Sequence, residues 1–415
     1  MLSMQIPAQS SRQAQSLWNA CFLLLALMPL GMAISHRSAT LFMVLSAVVA
    51  IIAVLLEGKG KELLADILQK FFTLPGYAVL AFLLWALISM SWTFSLKVSL
   101  FTFGEMLLPA ASALIVALTL PQRMPRWGAC VFAGIVIFSA ILIIVDLQTG
   151  LRLRQALGVR AYAFIFNRPV LTLLLSAIPL FFLLQRRSDK SAKVMGIAAA
   201  IATIAAVFAS DSGAATMAVM VFVPVYVIAR IWPRLAIWLG VASFALIVAC
   251  APFYGILFNR VLPERVVETF SQDHSYERVA LWESFGYAIR AQPVLGGGFG
   301  VSPVIASTSV VEQVPIKYRE MLAIGHPHNA AMQVWAEMGA VGALLALMAL
   351  LSMLRAVSRL PSALAAEQLA WIASVSLVAI VGHGAWQGWW IAALGAGVVW
   401  FRARRLEAEG KIGHD

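Results

Sequence analysis

HPHNAAMQVWAEMGAVGALLALMALLSM, residues 326–353, opens on two histidines around a proline and then carries Glu337 as its one charged residue. At about 1.5 Å rise per residue, a helix of this length exceeds the roughly 30 Å hydrocarbon thickness of a bilayer. The stretch reads as a membrane span with His326 and His328 at its mouth. Pro327 holds His326 extended and suits a helix start, which puts Asn329 near the cap.

The same apolar pattern recurs along the chain. Twelve candidate spans fall at about 17–33, 39–56, 75–92, 101–120, 128–147, 169–184, 193–209, 213–231, 235–254, 329–353, 366–383 and 386–401. Of the 415 residues, 61% are apolar and 12% charged, against roughly 25% charged in soluble proteins. The fold class is all-α and polytopic, embedded in a lipid bilayer; a barrel would show short alternating strands instead. The run at 17–33 reads as a retained first helix, not a cleaved signal, because further spans follow. Cys21, Cys130 and Cys250 lie inside apolar runs without ligand spacing, so neither a disulfide nor a metal site is expected.

The net charge of +11 is scattered through short connections, which fits topology and anionic lipid and not nucleic acid. With the N-terminus in the cytoplasm, 18 of the 30 Lys and Arg residues fall on inside segments. An even span count returns the C-terminus to the same side. The chain then divides into spans 1–9 (residues 1–254), one large outward loop (255–328), and spans 10–12 with a cytoplasmic tail (329–415). One outward loop breaks the charge pattern: residues 148–168 hold Arg152, Arg154, Arg160 and Arg168 and no acid. That segment reads as an interfacial helix against headgroups, as a site for an anion that guanidinium forks can grip, or as both.

The long loop carries six basic and seven acidic residues. Residues 276–291 within it are expected to form an amphipathic helix, with Val279, Trp282, Phe285, Ala288 and Ile289 as the apolar stripe and Arg278 near its start. An exposed ion pair is the plainer reading of Arg278. Gly296, Gly297, Gly298 and Gly300 follow Pro293 without a GK[ST] sequence, so they read as a tight turn and not as a nucleotide loop. For His328 the plainer reading is a hydrogen-bonded interfacial anchor. Zinc is not expected, since histidines two apart share no helix face and no third ligand is in view. Glu337 lies nine residues beyond His328, two and a half turns away, and so points to the opposite face. A carboxylate at that depth must face the bundle interior, paired or protonated.

HPHNAAMQVWAEMGAVGALL (326–345) resembles the signature of the O-antigen ligase and polymerase superfamily. SYERVALW (275–282), PVLGGGFG (293–300) and FNRPVLTLLL (166–175) extend the resemblance. It implies a GT-C-like, cofactor-free and metal-independent glycosyltransferase at the outer face of the bacterial inner membrane. Its donor would be a glycan on undecaprenyl diphosphate. The acceptor would be lipid A-core in a ligase, or another repeat unit in a polymerase.

By the same resemblance His328 is the base and Arg278 a diphosphate ligand, with Arg168, Arg160 and Arg154 completing a clamp beside Asn167. His326, Asn329, Trp282 and His383 would line the substrate site. Histidine suits a base working near neutral pH, and fixed arginine charge can stabilise a diphosphate leaving group without a metal. Direct displacement would invert the anomeric carbon. Many relatives carry Ser-Arg-Gly at the start of the eighth span. Here that place reads Ser210-Asp211-Ser212-Gly213, and Asp211 is expected to orient an arginine instead. A twelve-helix transporter is the remaining reading, but the halves show no repeat and the polar residues gather at the outer face.

Overall fold

A computed structural model describes residues 8–261 and 275–410, so the acidic and basic start of the long loop, 262–274, lies outside the described residues. In chain order the helices are α1 (Ala8–Ala26), α2 (Met28–Ile34), α3 (Ala39–Leu56), α4 (Gly60–Phe71), α5 (Leu74–Ser89), α6 (Leu96–Thr119), α7 (Gly128–Gln148), α8 (Arg152–Ala156) and α9 (Asn167–Gln185). They continue as α10 (Lys190–Ala209), α11 (Gly213–Ile231), α12 (Pro233–Cys250), α13 (Tyr254–Val261), α14 (Ser275–Ala291), α15 (Ile316–Arg319), α16 (Ala330–Val357), α17 (Ser362–Val381) and α18 (Gly388–Ala408). Among the described residues there is no strand.

Among the described residues ten helices are long and apolar enough to cross a membrane, and the chain is a multi-pass membrane protein. Two of the twelve expected spans differ from the rest. The span expected at 17–33 is a pair, α1 and α2, bent by 44°. Pro29 stands in the first turn of α2, where its missing N–H costs nothing. The span expected at 386–401 lies in α18, which is not among the ten. Its last turns carry Arg402, Arg404 and Arg405, which thin the apolar run.

The chain forms two compact units. One comprises Met1–Lys70, Met106–Val223 and Gly388–Asp415. Its centre is α9, apolar on nearly every side and packed by α7, α10 and α18. A helix that is apolar all round belongs inside a bundle. Phe132 of α7 stacks on Trp400 of α18 with ring centroids 4.3 Å apart. Gly395 of α18 lies so close to Ala113 that a side chain there would overlap it, the close approach that small residues allow between membrane helices. Just beyond α3, Glu57 accepts from Trp18 Nε1 at 2.6 Å and Arg123 at 2.8 Å, which ties three segments at one end of the unit.

The other unit comprises Phe71–Glu105 and Pro224–Gln387. The sequence predicts one unbroken span over 329–353. The structure instead breaks α16 at Gly339, whose φ of 61° and ψ of −161° are open only to glycine. A break inside a membrane frees backbone groups that lipid cannot satisfy. The chain leaving α14 supplies their partners. Gly297 and Gly298 donate to the carbonyls of Ala336 and Glu337 at 2.9 and 2.8 Å, and Ala340 donates to Pro293 O at 2.8 Å. Trp85 Nε1 donates to Met338 O at 3.1 Å. The glycine turn read from the sequence is therefore an insert into a split helix. Gly296, at φ 67°, leaves no room for a side chain against the Glu337 backbone.

The helix expected at 276–291 is α14. Its Trp282, Phe285, Ala288 and Ile289 bury against Ile305, Val310, Val314 and Leu322 of the following loop and Met332 and Ala336 of α16. The long connection is thus a small cap with its own apolar core.

Gly339→Ala should destabilise by on the order of 3 kcal/mol or more, from a forbidden backbone conformation and overlap with the Val294 carbonyl. Gly134→Ala, a helical position with nothing near its Cβ, should be neutral or stabilising by up to about 1 kcal/mol. Thermal unfolding in one detergent compares the two.

Candidate active site at the mouth of α16

Asn329 starts α16. Its backbone is extended, and its Oδ1 accepts the Met332 N–H at 3.0 Å, the usual way to satisfy a first-turn donor. Its amide nitrogen is buried without a hydrogen-bond partner among the described residues. One residue earlier still, the Pro327 carbonyl accepts from Trp282 Nε1 of α14 at 3.0 Å. His328 stands between these two fixed points with φ at +50°. That left-handed conformation costs on the order of 1 kcal/mol for a residue with a side chain. The strap is held in it by the cap on one side and the indole on the other.

The His328 ring is half-buried, and its Nδ1 lies 3.2 Å from the Gly382 carbonyl oxygen. A carbonyl can only accept, so the network assigns the proton of neutral His328 to Nδ1 and leaves the lone pair on Nε2. The His326 ring lies edge-on to it, centroids 4.1 Å apart. The turn over 382–387, which contains His383, closes on this pair: a side chain on Gly384 would stand 3.6 Å from His326 Cγ and 3.3 Å from Gln333 Oε1.

Beneath the histidines, Glu337 is fully buried and its carboxylate is met by three donors. Gln333 Nε2 reaches Oε1 at 2.9 Å, while Gly300 N and Trp386 Nε1 reach Oε2 at 2.7 and 2.8 Å. Gln333 Oε1 in turn accepts from Ala385 N at 2.8 Å. These bonds offset the cost of removing a carboxylate from water. Sequence reasoning passed over Gln333 and Gly382. The i,i+4 spacing of Gln333 and Glu337 was a visible signal for the first, but a backbone carbonyl leaves none.

Arg278 is half-buried on α14, one turn before Trp282. Residues four apart share a helix face, so Arg278 lies on the face that meets the histidine strap. His326, His328, Asn329, His383, Trp282 and Arg278 therefore belong to one compact unit, drawn from three segments of sequence.

The arginine-rich segment belongs to the other unit. Arg154, expected to grip a diphosphate, is corrected by its surroundings. It is buried, and its nitrogens donate to Arg160 O at 2.7 Å, Ala33 O at 3.0 Å and Ile34 O at 3.4 Å. It satisfies the last carbonyls of α2 and acts as a strut. Asp146 is buried near it and accepts from Leu153 N at 2.8 Å. Arg160 is exposed, and Arg168, in the first turn of α9, lies 5.4 Å over the Trp389 ring. Asn167 precedes it with a buried Oδ1 that has no hydrogen-bond partner among the described residues. Asp211 is exposed just after α10. His36, overlooked in the sequence, marks the centre of this charge. Burial first, and then Arg168, Arg37, Arg154 and Arg160, push its pKa from 6.5 down to about 4.

The comparison with protein families agrees with the resemblance in the motifs. Residues 197–347 match the O-antigen ligase family. The O-antigen ligase match takes in α14 and the whole histidine strap, and so includes both Arg278 and His328; Arg160 and Arg168 fall outside it. No curated protein matches the chain. The match likens this segment, about a third of the chain, to O-antigen ligases.

Trp282→Phe should free the Pro327 carbonyl and cost about 1–3 kcal/mol, read as a lower unfolding midpoint. Acid should also weaken the fold. Between pH 6.5 and about 4 the unfolded chain binds a proton at His36 that the folded chain refuses, so stability is full above 6.5 and falls as pH drops through that window. His36→Gln should flatten that part of the curve of midpoint against pH.

Proposed function

We propose that the protein is an O-antigen ligase, moving a glycan from undecaprenyl diphosphate to a sugar of lipid A-core. The carrying observation is the orientation of His328: its Nδ1 is engaged by the Gly382 carbonyl, so Nε2 is the basic nitrogen, inside the segment that matches the family. In this reading Nε2 takes the proton of the acceptor hydroxyl as its oxygen attacks the anomeric carbon. The bond to the diphosphate breaks on the opposite side, and configuration inverts. A diphosphate leaves without protonation when positive charge stays near it. Arg278 is the proposed ligand on α14.

Arg160 and Arg168 are proposed as further phosphate contacts on the strength of their charge, Asn167 as a neutral contact through its amide, and Arg154 as the strut that positions Arg160. Asn329, whose buried amide nitrogen has no hydrogen-bond partner among the described residues, and His383 are proposed to meet sugar hydroxyls. The distribution of Lys and Arg supports an inner-membrane setting with the α14 cap in the periplasm and both termini in the cytoplasm. No metal or cofactor takes part in this scheme.

The test is transfer by purified protein from undecaprenyl-diphosphate glycan to lipid A-core or to a second repeat unit. His328→Ala should lower turnover by about 100-fold or more while the protein stays in the membrane; wild-type turnover would overturn the base assignment. Arg278→Lys should keep part of the activity lost in Arg278→Ala if charge dominates, and none if the fork matters. Activity should survive EDTA. In cells, deletion should leave lipid A-core without any glycan; a single repeat on the core would instead identify a polymerase.

A further inference from the structure

The buried carboxylate of Glu337 has no place in the proton transfer just described, yet its ligands lead back to the base. Its Oε1 accepts from Gln333, whose amide oxygen accepts from Ala385 N; its Oε2 accepts from Trp386. Ala385 and Trp386 belong to the 382–387 turn, and Gly382 of that turn holds His328 Nδ1. Ala385 N can only donate, so the Gln333 oxygen must face it and its NH2 must face Glu337. Every group in the chain has one permitted orientation.

We infer that Glu337, through Gln333 and Trp386, holds the 382–387 turn so that the Gly382 carbonyl fixes His328 with its proton on Nδ1 and its lone pair on Nε2. Glu337 is on this view a positioning residue for the base. Two features favour this over a purely structural role at the split in α16. The insert at the break is already satisfied by backbone bonds from Gly297, Gly298 and Ala340, none of which uses a carboxylate. Among the donors to the carboxyl group, Gln333 and Trp386 belong to the linkage with the turn, while Gly300 and Ser302 come from the side of the insert. Partners that orient metal-bound histidines are commonly worth about 10–100-fold in affinity or activity, and an effect of at least that order is expected for a base oriented in the same way.

The inference rests on His328 as the base of the proposed transferase, but its first readout does not. Protein labelled with 15N-histidine and reconstituted in lipid vesicles reports each ring nitrogen as protonated or bare. The His328 signals are assigned by subtraction of a His328→Ala sample. Wild type should show a single neutral form, protonated on Nδ1. Glu337→Gln keeps the shape but replaces one acceptor oxygen by a donor, set against donors already present. His328 should then populate both tautomers, and turnover should fall by about 10–100-fold with KM little changed.

Trp386→Phe, which keeps a ring and removes only the indole N–H, should give a smaller shift in the same direction and serves if Glu337→Gln does not reach the membrane. An unchanged single tautomer in the variants that fold, even with a lower unfolding midpoint, would overturn the inference and leave Glu337 purely structural. Absence of glycan transfer by wild type, with the tautomer change intact, would overturn the proposed reaction and leave the positioning in place.

Discussion

A helix split inside a membrane must find partners for its freed backbone groups, and the histidine end of this protein follows from that requirement. Gly339 opens α16, and the glycine-rich insert after α14 closes the gap with its own N–H and C=O groups. The insert can lie there only because α14 ends beside it, and α14 stays because its apolar stripe buries against the first turns of α16. The same helix then offers Trp282 to the Pro327 carbonyl. Backbone satisfaction in the split helix thus fixes the cap, and the cap fixes the strap that carries His328.

Glu337 couples this framework to the turn on the other side. Its donors come from the insert, from its own helix and from the 382–387 turn, so one buried carboxyl group draws three segments together. A neutral residue of the same size could not accept from all three. Burying a carboxylate is expensive, and three short bonds to donors of fixed orientation offset that cost. The arrangement is therefore intolerant of small changes, and that intolerance holds the 382–387 turn in one orientation.

The membrane class and the helical layout were legible because their signal is long. Some twenty apolar residues in a row admit few other readings, and α14 showed its stripe in the same way. The split at Gly339 was not legible. Glycine is common in membrane helices, and the groups that fill the break come from some forty positions earlier in the chain, so no local pattern announces them. At the site, His328 and Asn329 stood out because Pro327 and a cap residue mark a helix mouth. Gln333 reads as one polar residue in a helix until the turn it contacts is in place. The arginines show the limit of counting charge. Arg152, Arg154 and Arg160 look alike in sequence, yet Arg154 is consumed by three carbonyls, two of them contributed by α2, while Arg152 and Arg160 are exposed.

The two histidines of the strap illustrate how position decides chemistry. A proline between them prevents a shared helix face and turns their rings edge to face. His328 occupies the strained position, pinned on one side by the indole bond to Pro327 and on the other by the Asn329 cap. Strain of this kind persists only where neighbours over-determine it, and such places are where fixed orientation has a use. A base needs its lone pair directed, which a carbonyl on the opposite nitrogen provides without adding charge. A carboxylate in that place would tighten the hydrogen bond but would also favour the protonated ring. The Gly382 carbonyl orients the imidazole without adding a formal charge beside it, and Glu337 acts one step removed, through its bonds to other donors.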